Sequence, residues 1–150
     1  VLATALALAS RGLHVFPCRP RAKSPATPNG FKAATADPEV IKRWWNENSR
    51  YNVAVATGSA SSLLVVDADD GLAGEAALEA LELAHEPLPA SVSVITPGGE
   101  DRLPGRHIWL RLPDGSTVDS SAGRLGKRLD HRANGGYVVA PPSVGPLGRR

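Results

Sequence analysis

The 150-residue chain is 42% hydrophobic and 21% charged, enough for a core in a single domain and too balanced for disorder along its whole length. Net charge is only +2, so bulk charge does not single out nucleic acid; the acids gather mid-chain, and residues 102–150 are Arg-rich, as a basic face would be. One cysteine, Cys18, excludes an intrachain disulfide and favours a reducing, cytoplasmic setting, and no run is long enough to span a bilayer, so no membrane association is expected.

Residues 2–11 are rich in Ala and Leu, strong helix formers, with Gly12 at a C-cap position. No basic segment precedes this run, so a helix is expected rather than a secretion signal. The chain lacks an initiator Met and reads as a piece of something longer. Residues 13–16 form a strand candidate, which makes Cys18 a core residue at a strand end rather than a nucleophile. Residues 17–30 hold four prolines and read as an irregular loop containing Lys23. Asp37-Pro38-Glu39 is a helix start: an Asp cap, Pro in the first turn, then an acid. That helix runs to about Asn48, with Val40, Ile41, Trp44 and Trp45 on one side. The paired Trp residues suit a core or a groove wall; stacking on bases would require exposed rings.

Residues 52–56 form the next strand, closed by Thr57-Gly58-Ser59. Residues 63–66 follow so closely that the two strands are expected to form a hairpin. Residues 71–85 read as a helix ended by Pro87 and Pro89. Residues 92–95 alternate as a strand and stop at Thr96-Pro97-Gly98-Gly99. Residues 107–112 form another strand, turned by Pro113-Asp114-Gly115, and residues 137–140 the last, stopped by Pro141-Pro142. Hairpins with interspersed helices indicate an α+β fold with a mostly antiparallel sheet, not alternating βαβ units.

Three strand ends hold chemistry-bearing groups. The apolar run Leu63-Leu64-Val65-Val66 leads into Asp67-Ala68-Asp69-Asp70. Strand side chains alternate, so Asp67 and Asp69 share a face. Two co-facing carboxylates repel unless a cation lies between them, which points to Mg²⁺ or Mn²⁺. The competing explanation is an acidic loop that caps the following helix. His107 opens a strand after Arg106, a pairing able to hold a phosphate, although a lone histidine is more often a half-buried surface residue. Asp130 and Arg132 are also spaced i, i+2, and in an extended segment would put a metal ligand beside a phosphate clamp, or form a plain ion pair.

The order of these pieces resembles the bifunctional DNA primase/polymerase (prim-pol) amino-terminal domain of the archaeo-eukaryotic primase superfamily. The resemblance runs through Gly12–Pro17, Lys23 with Pro25, Gly30, Ala34-Thr35-Ala36-Asp37, Trp44-Trp45, Asn52-Val53-Ala54-Val55 with Thr57-Gly58, and the VVDADD stretch. It continues through Thr96-Pro97-Gly98-Gly99, His107, Asp130-His131-Arg132 and Gly135-Gly136-Tyr137-Val138-Val139-Ala140-Pro141-Pro142-Ser143. It implies a modified RRM-like sheet packed with a second small α/β unit. It further implies that Asp67, Asp69 and Asp130 are catalytic metal-binding acids for two divalent ions about 3.5–4 Å apart. His107 would contact the incoming nucleotide's phosphates, and Lys23 and Arg132 would be basic contacts to triphosphate or template; Arg106, read from its place beside His107, would add nucleotide-binding charge.

The implied activity is template-dependent primase/polymerase chemistry with a single-stranded DNA template and dNTPs or NTPs. The implied setting is a bacterial plasmid, phage or integrated-element replication protein, residues 1–150 being its catalytic domain with the C-terminal end truncated and a fused or associated helicase downstream. Two departures stand out: residues 100–106 form an insertion before His107, and His131 competes for the histidine's place, although it should face away from Asp130 in a strand. Two other functions fit the same residues: a non-catalytic module binding single-stranded nucleic acid or a nucleotide, and a metal-dependent phosphoesterase. The first is disfavoured by a chain only 5% aromatic, since RRM-type binding stacks bases on exposed rings.

Overall fold

In the computed structural model, which describes residues 1–148, the opening Ala/Leu run is helix α1 (Leu2–Ala9), and Gly12 follows at a φ of +82°. Strand β1 (Val15–Cys18) is fully buried and begins two residues later than the sequence indicated. A short 3₁₀ turn at Gly30–Ala33 leads to α2 (Pro38–Glu47). Its cap is as expected: the Asp37 carboxylate accepts from the Glu39 N–H at 2.8 Å, an interaction typically worth about 1 kcal/mol. Then come β2 (Asn52–Ala56), β3 (Leu63–Ala68), α3 (Leu72–Ala84), β4 (Val92–Thr96), β5 (Gly105–Arg111), β6 (Ser121–Gly126), β7 (Leu129–Arg132) and β8 (Tyr137–Ala140). Among the described residues no helix is long and apolar enough to cross a membrane. Arg149 and Arg150, where the sequence suggested a truncated end, lie outside the described residues.

The strands form two sheets, a three-stranded one in the order β1-β2-β8 and a five-stranded one in the order β4-β5-β3-β7-β6, with every strand pairing antiparallel. The fold is therefore α+β, with α1 and α2 packed on the smaller sheet and α3 on the larger. One expectation fails. β2 and β3 do not form a hairpin: β2 pairs with β1 and β8, whereas β3 lies between β5 and β7. The chain leaves one sheet for the other at Thr57-Gly58. There Thr57 Oγ1 donates to the Ala133 carbonyl at 2.7 Å, and a Cβ built on Gly58 would lie 2.6 Å from the Asn134 backbone. Proximity in sequence suggested pairing, but this close crossing at Ala133-Asn134 diverts the strand.

β3 is the hinge of the architecture because its two faces serve different cores. Val65 and Leu63 pack with Val15, Val53, Val55, Ile41 and Trp45, joining the five-stranded sheet to the smaller one. Val66 and Ala68 point the other way and pack with Leu78 of α3, Ile108 and Leu129. Trp45 is buried, its indole N–H donating to the Tyr51 carbonyl at 3.1 Å, so it is core and not a stacking platform. Asp67 belongs to the Val65 face. It continues an apolar stripe as a charge, at the point where the two sheets separate.

Candidate active site in the cleft between the sheets

Register alone assembles the polar cluster. Asp67 on β3 is directly opposite His107 on β5 and Asp130 on β7, so three side chains from three strands share one rung. Directly opposite residues on one sheet face hold their Cβ atoms roughly 4.5–5.5 Å apart. Arg132, two residues beyond Asp130, returns to the same face. Its guanidinium lies 3.1 Å from Asp130 Oδ2 and 3.9 Å from Asp67 Oδ2. The other Asp130 oxygen accepts from the Gly123 N–H of β6 at 2.7 Å.

Asp67 has the least satisfied environment. His107 Nε2 is 3.3 Å from Asp67 Oδ1, close enough for charge attraction but out of line for a good hydrogen bond, and Oδ1 is buried without a donor. His107 Nδ1 is likewise buried and unpartnered. Burial is the largest influence on the Asp67 carboxyl and pushes its pKa up. The His107 contact, with Arg132 and Lys23 behind it, outweighs burial and holds the pKa below the usual carboxylate value. An unsatisfied buried oxygen costs about 1–3 kcal/mol. A cation or donor bound in the cleft would offset that cost.

The cluster opens on a cleft of about 400 Å³ whose walls include Lys23, Asn52, Thr96, Ser120, Gly136 and Tyr137, with Pro141 and Pro142 at one side. β8 is the edge strand of the smaller sheet, so its free side faces this space. Lys23 is carried by a pinned loop. The Cys18 thiol and the Tyr137 hydroxyl both donate to its carbonyl, at 3.2 and 3.1 Å. Asn52 ties the walls together, donating to the Ala22 and Val144 carbonyls and accepting from the Val144 N–H. The sequence gives no role to Asn52 beyond its place in the motif; its one signal is a polar side chain opening an otherwise apolar strand. Burial pushes the Cys18 thiol up to about 12, which leaves it protonated at neutral pH and consistent with a core residue.

The remaining candidates lie elsewhere. Asp69 follows the end of β3, where its carboxylate is partly exposed and 3.5 Å from Arg102, away from the cleft. Arg106 alternates to the opposite side of β5 from His107 and pairs with Glu75 of α3 at 2.6 Å. His131 also lies on that opposite side, beside Val66, with Nε2 2.9 Å from the Asp119 carbonyl. Thus Asp67, His107, Asp130, Arg132 and Lys23 are brought to one place, and Asp69 and Arg106 are not. Among the described residues no three His, Cys, Asp or Glu side chains converge closely enough to hold a metal ion without rearrangement. The donor set nonetheless fits a hard cation, since Asp67 supplies an unpartnered carboxylate oxygen and Asp130 a second carboxylate across the rung.

Comparison with curated proteins gives no match. The family described as bifunctional DNA primase/polymerase, N-terminal, matches residues 5–150, nearly the whole chain. The chain belongs to that family, whose membership implies primase/polymerase-type nucleotidyl transfer on nucleic acid and nucleotide substrates, generally with divalent metals.

Proposed function

We propose that the cleft is where this chain adds (d)NTPs to a 3′-hydroxyl opposite a single-stranded DNA template, and where it synthesises primers de novo. The observation that supports this most is the single rung Asp67–His107–Asp130, of which Asp67 and His107, with Arg132, line a cleft large enough for a nucleotide. Asp67 and Asp130 would hold the divalent cations, with Asp69, just past the end of β3, contributing only after release from Arg102 and a turn toward the cleft. Mg²⁺ or Mn²⁺ bound there would acidify the attacking hydroxyl and neutralise charge on the triphosphate and departing pyrophosphate.

The chain's own residues have separable tasks. Asp67 and Asp130 supply carboxylate oxygens from adjacent strands, and the lowered pKa of Asp67 keeps its carboxylate ionised at neutral pH. Arg132 bridges both carboxylates with one guanidinium, and turning it outward would expose the acids to cations while offering a planar donor to phosphate oxygens. His107 presents an imidazole at the same rung, positioned to donate to the triphosphate. Lys23 adds a point charge from a loop fixed at its carbonyl. The apolar walls exclude water and strengthen these interactions. No covalent nucleophile is required.

Incubating the protein with primed and unprimed template, dNTPs, NTPs and Mn²⁺ tests the reading. Primer extension or new primers are the expected products. Template degradation would instead indicate a phosphoesterase, and retained template with no product a binding module; either result contradicts the proposal.

A further inference from the structure

Charge is segregated in a way that the catalytic rung does not explain. The first 36 residues contain Arg11, Arg19, Arg21, Lys23 and Lys32 and no Asp or Glu. The Arg-rich later half, by contrast, neutralises itself at several points: Arg102, Arg106, Arg128 and Arg132 each pair with a carboxylate. Arg19 and Arg21 are exposed and, among the described residues, form no ion pair. They flank the short turn that leads into Lys23, the residue that reaches the cleft.

That turn is rigidly held. The Ala22 N–H donates to the Arg19 carbonyl at 3.1 Å, the Arg19 N–H to the Ser24 carbonyl at 2.9 Å, and Asn52 Nδ2 to the Ala22 carbonyl at 3.1 Å. Arg21 has a φ of +58°. Its guanidinium lies over Gly148, where a Cβ would come 2.9 Å from a guanidinium nitrogen, and the loop holding Gly148 continues from Val144 and Gly145 of the cleft wall. Two exposed arginines without an ion pair among the described residues are therefore carried by the turn that runs directly into Ala22 and Lys23 of the cleft wall. Free basic side chains on a fixed backbone, in a segment without acids, suit a polyanion.

We propose that Arg19 and Arg21 form a phosphate-binding entry for single-stranded nucleic acid, guiding the strand's backbone toward the cleft. The inference rests on the polymerase reading for the cleft, but its binding step requires neither nucleotide nor metal. Phosphate recognition of this kind reads no sequence. It adds affinity through release of counterions, so the salt dependence of binding reports it directly.

The test is the affinity of fluorescein-labelled oligothymidylate for the protein, measured by anisotropy in metal-free buffer over a range of KCl concentrations. Wild type is compared with R19Q/R21Q and R19K/R21K, after circular dichroism confirms that each is folded. Each phosphate neutralised on a single strand contributes about 0.7 to the slope of log K against log[KCl], so in R19Q/R21Q the slope should become shallower by about 1.4. R19K/R21K should restore it. An unchanged slope in R19Q/R21Q overturns the proposal, as does a shallower slope that lysine fails to rescue. Weaker dTTP binding with an unchanged oligothymidylate slope would move these arginines to the triphosphate and equally overturn it. A wild-type protein that shows the predicted slopes but extends no primer would refute the polymerase reading alone.

Discussion

Asp67 concentrates the electrostatic demands of the site in one side chain. Its folded pKa lies below the unfolded value, which for Asp is about 3.9. The unfolded chain therefore takes up the proton first, so the stabilisation is complete above that value and is lost as pH falls through the folded pKa. Asp67→Asn removes the titration. Acid-unfolding curves followed by circular dichroism should show a shallower loss of stability below about pH 4 in this variant than in wild type. In the activity assay the same substitution should lower Mn²⁺-dependent incorporation by about 100-fold or more, because a ligand charge disappears while the side-chain shape remains. A folded Asp67→Asn protein with wild-type incorporation would remove Asp67 from the mechanism.

At the scale of elements, the site is a product of register. β3 lies between β5 and β7, and only this pairing sets Asp67 opposite both His107 and Asp130. The sequence made much of this legible: the i, i+2 spacing of Asp130 and Arg132, the α2 cap at Asp37, and the strand at Tyr137–Ala140 all appear where local patterning placed them. It did not reveal β6, whose SAGRLG sequence lacks strand alternation and whose ladder is irregular between Ser121 and Gly126. Nor did it reveal that β2 and β3 separate, since the deciding contacts are at Ala133 and Asn134, far along the chain. Asp69 was placed by strand alternation with Asp67 and Arg106 by its position next to His107, whereas β3 ends at Ala68 and the two side chains are drawn off by Arg102 and Glu75. The crossing at Gly58 yields a stability prediction. Gly58→Ala combines a φ of +77° with backbone of Asn134 in the space a Cβ needs, whereas Gly12 has a φ of +82° and nothing within 4 Å. Urea denaturation should show Gly12→Ala costing about 1 kcal/mol, from conformation alone, and Gly58→Ala about 2–4 kcal/mol once overpacking is added. Equal costs would mean that the close crossing is not a constraint.

Across the whole molecule, two sheets with separate helical layers share one core along the Leu63–Val65 side of β3, and part beyond it to make the cleft. Opposite charges are arranged around that opening. Asp67 lines it with Asp130 across the rung, and Arg19 and Arg21, which form no ion pair among the described residues, lie on the loop that brings Lys23 to it. This is the arrangement expected where cations and a polyanionic strand must meet without neutralising each other beforehand. Primer extension with Mn²⁺ by Asp130→Asn, compared with wild type, tests the central claim most directly. Asn can keep the hydrogen bond from the Gly123 N–H while losing the charge that faces Asp67. The account predicts at least about a 100-fold loss of extension, with a cooperative unfolding transition retained. A folded Asp130→Asn protein that extends primers at the wild-type rate would contradict it.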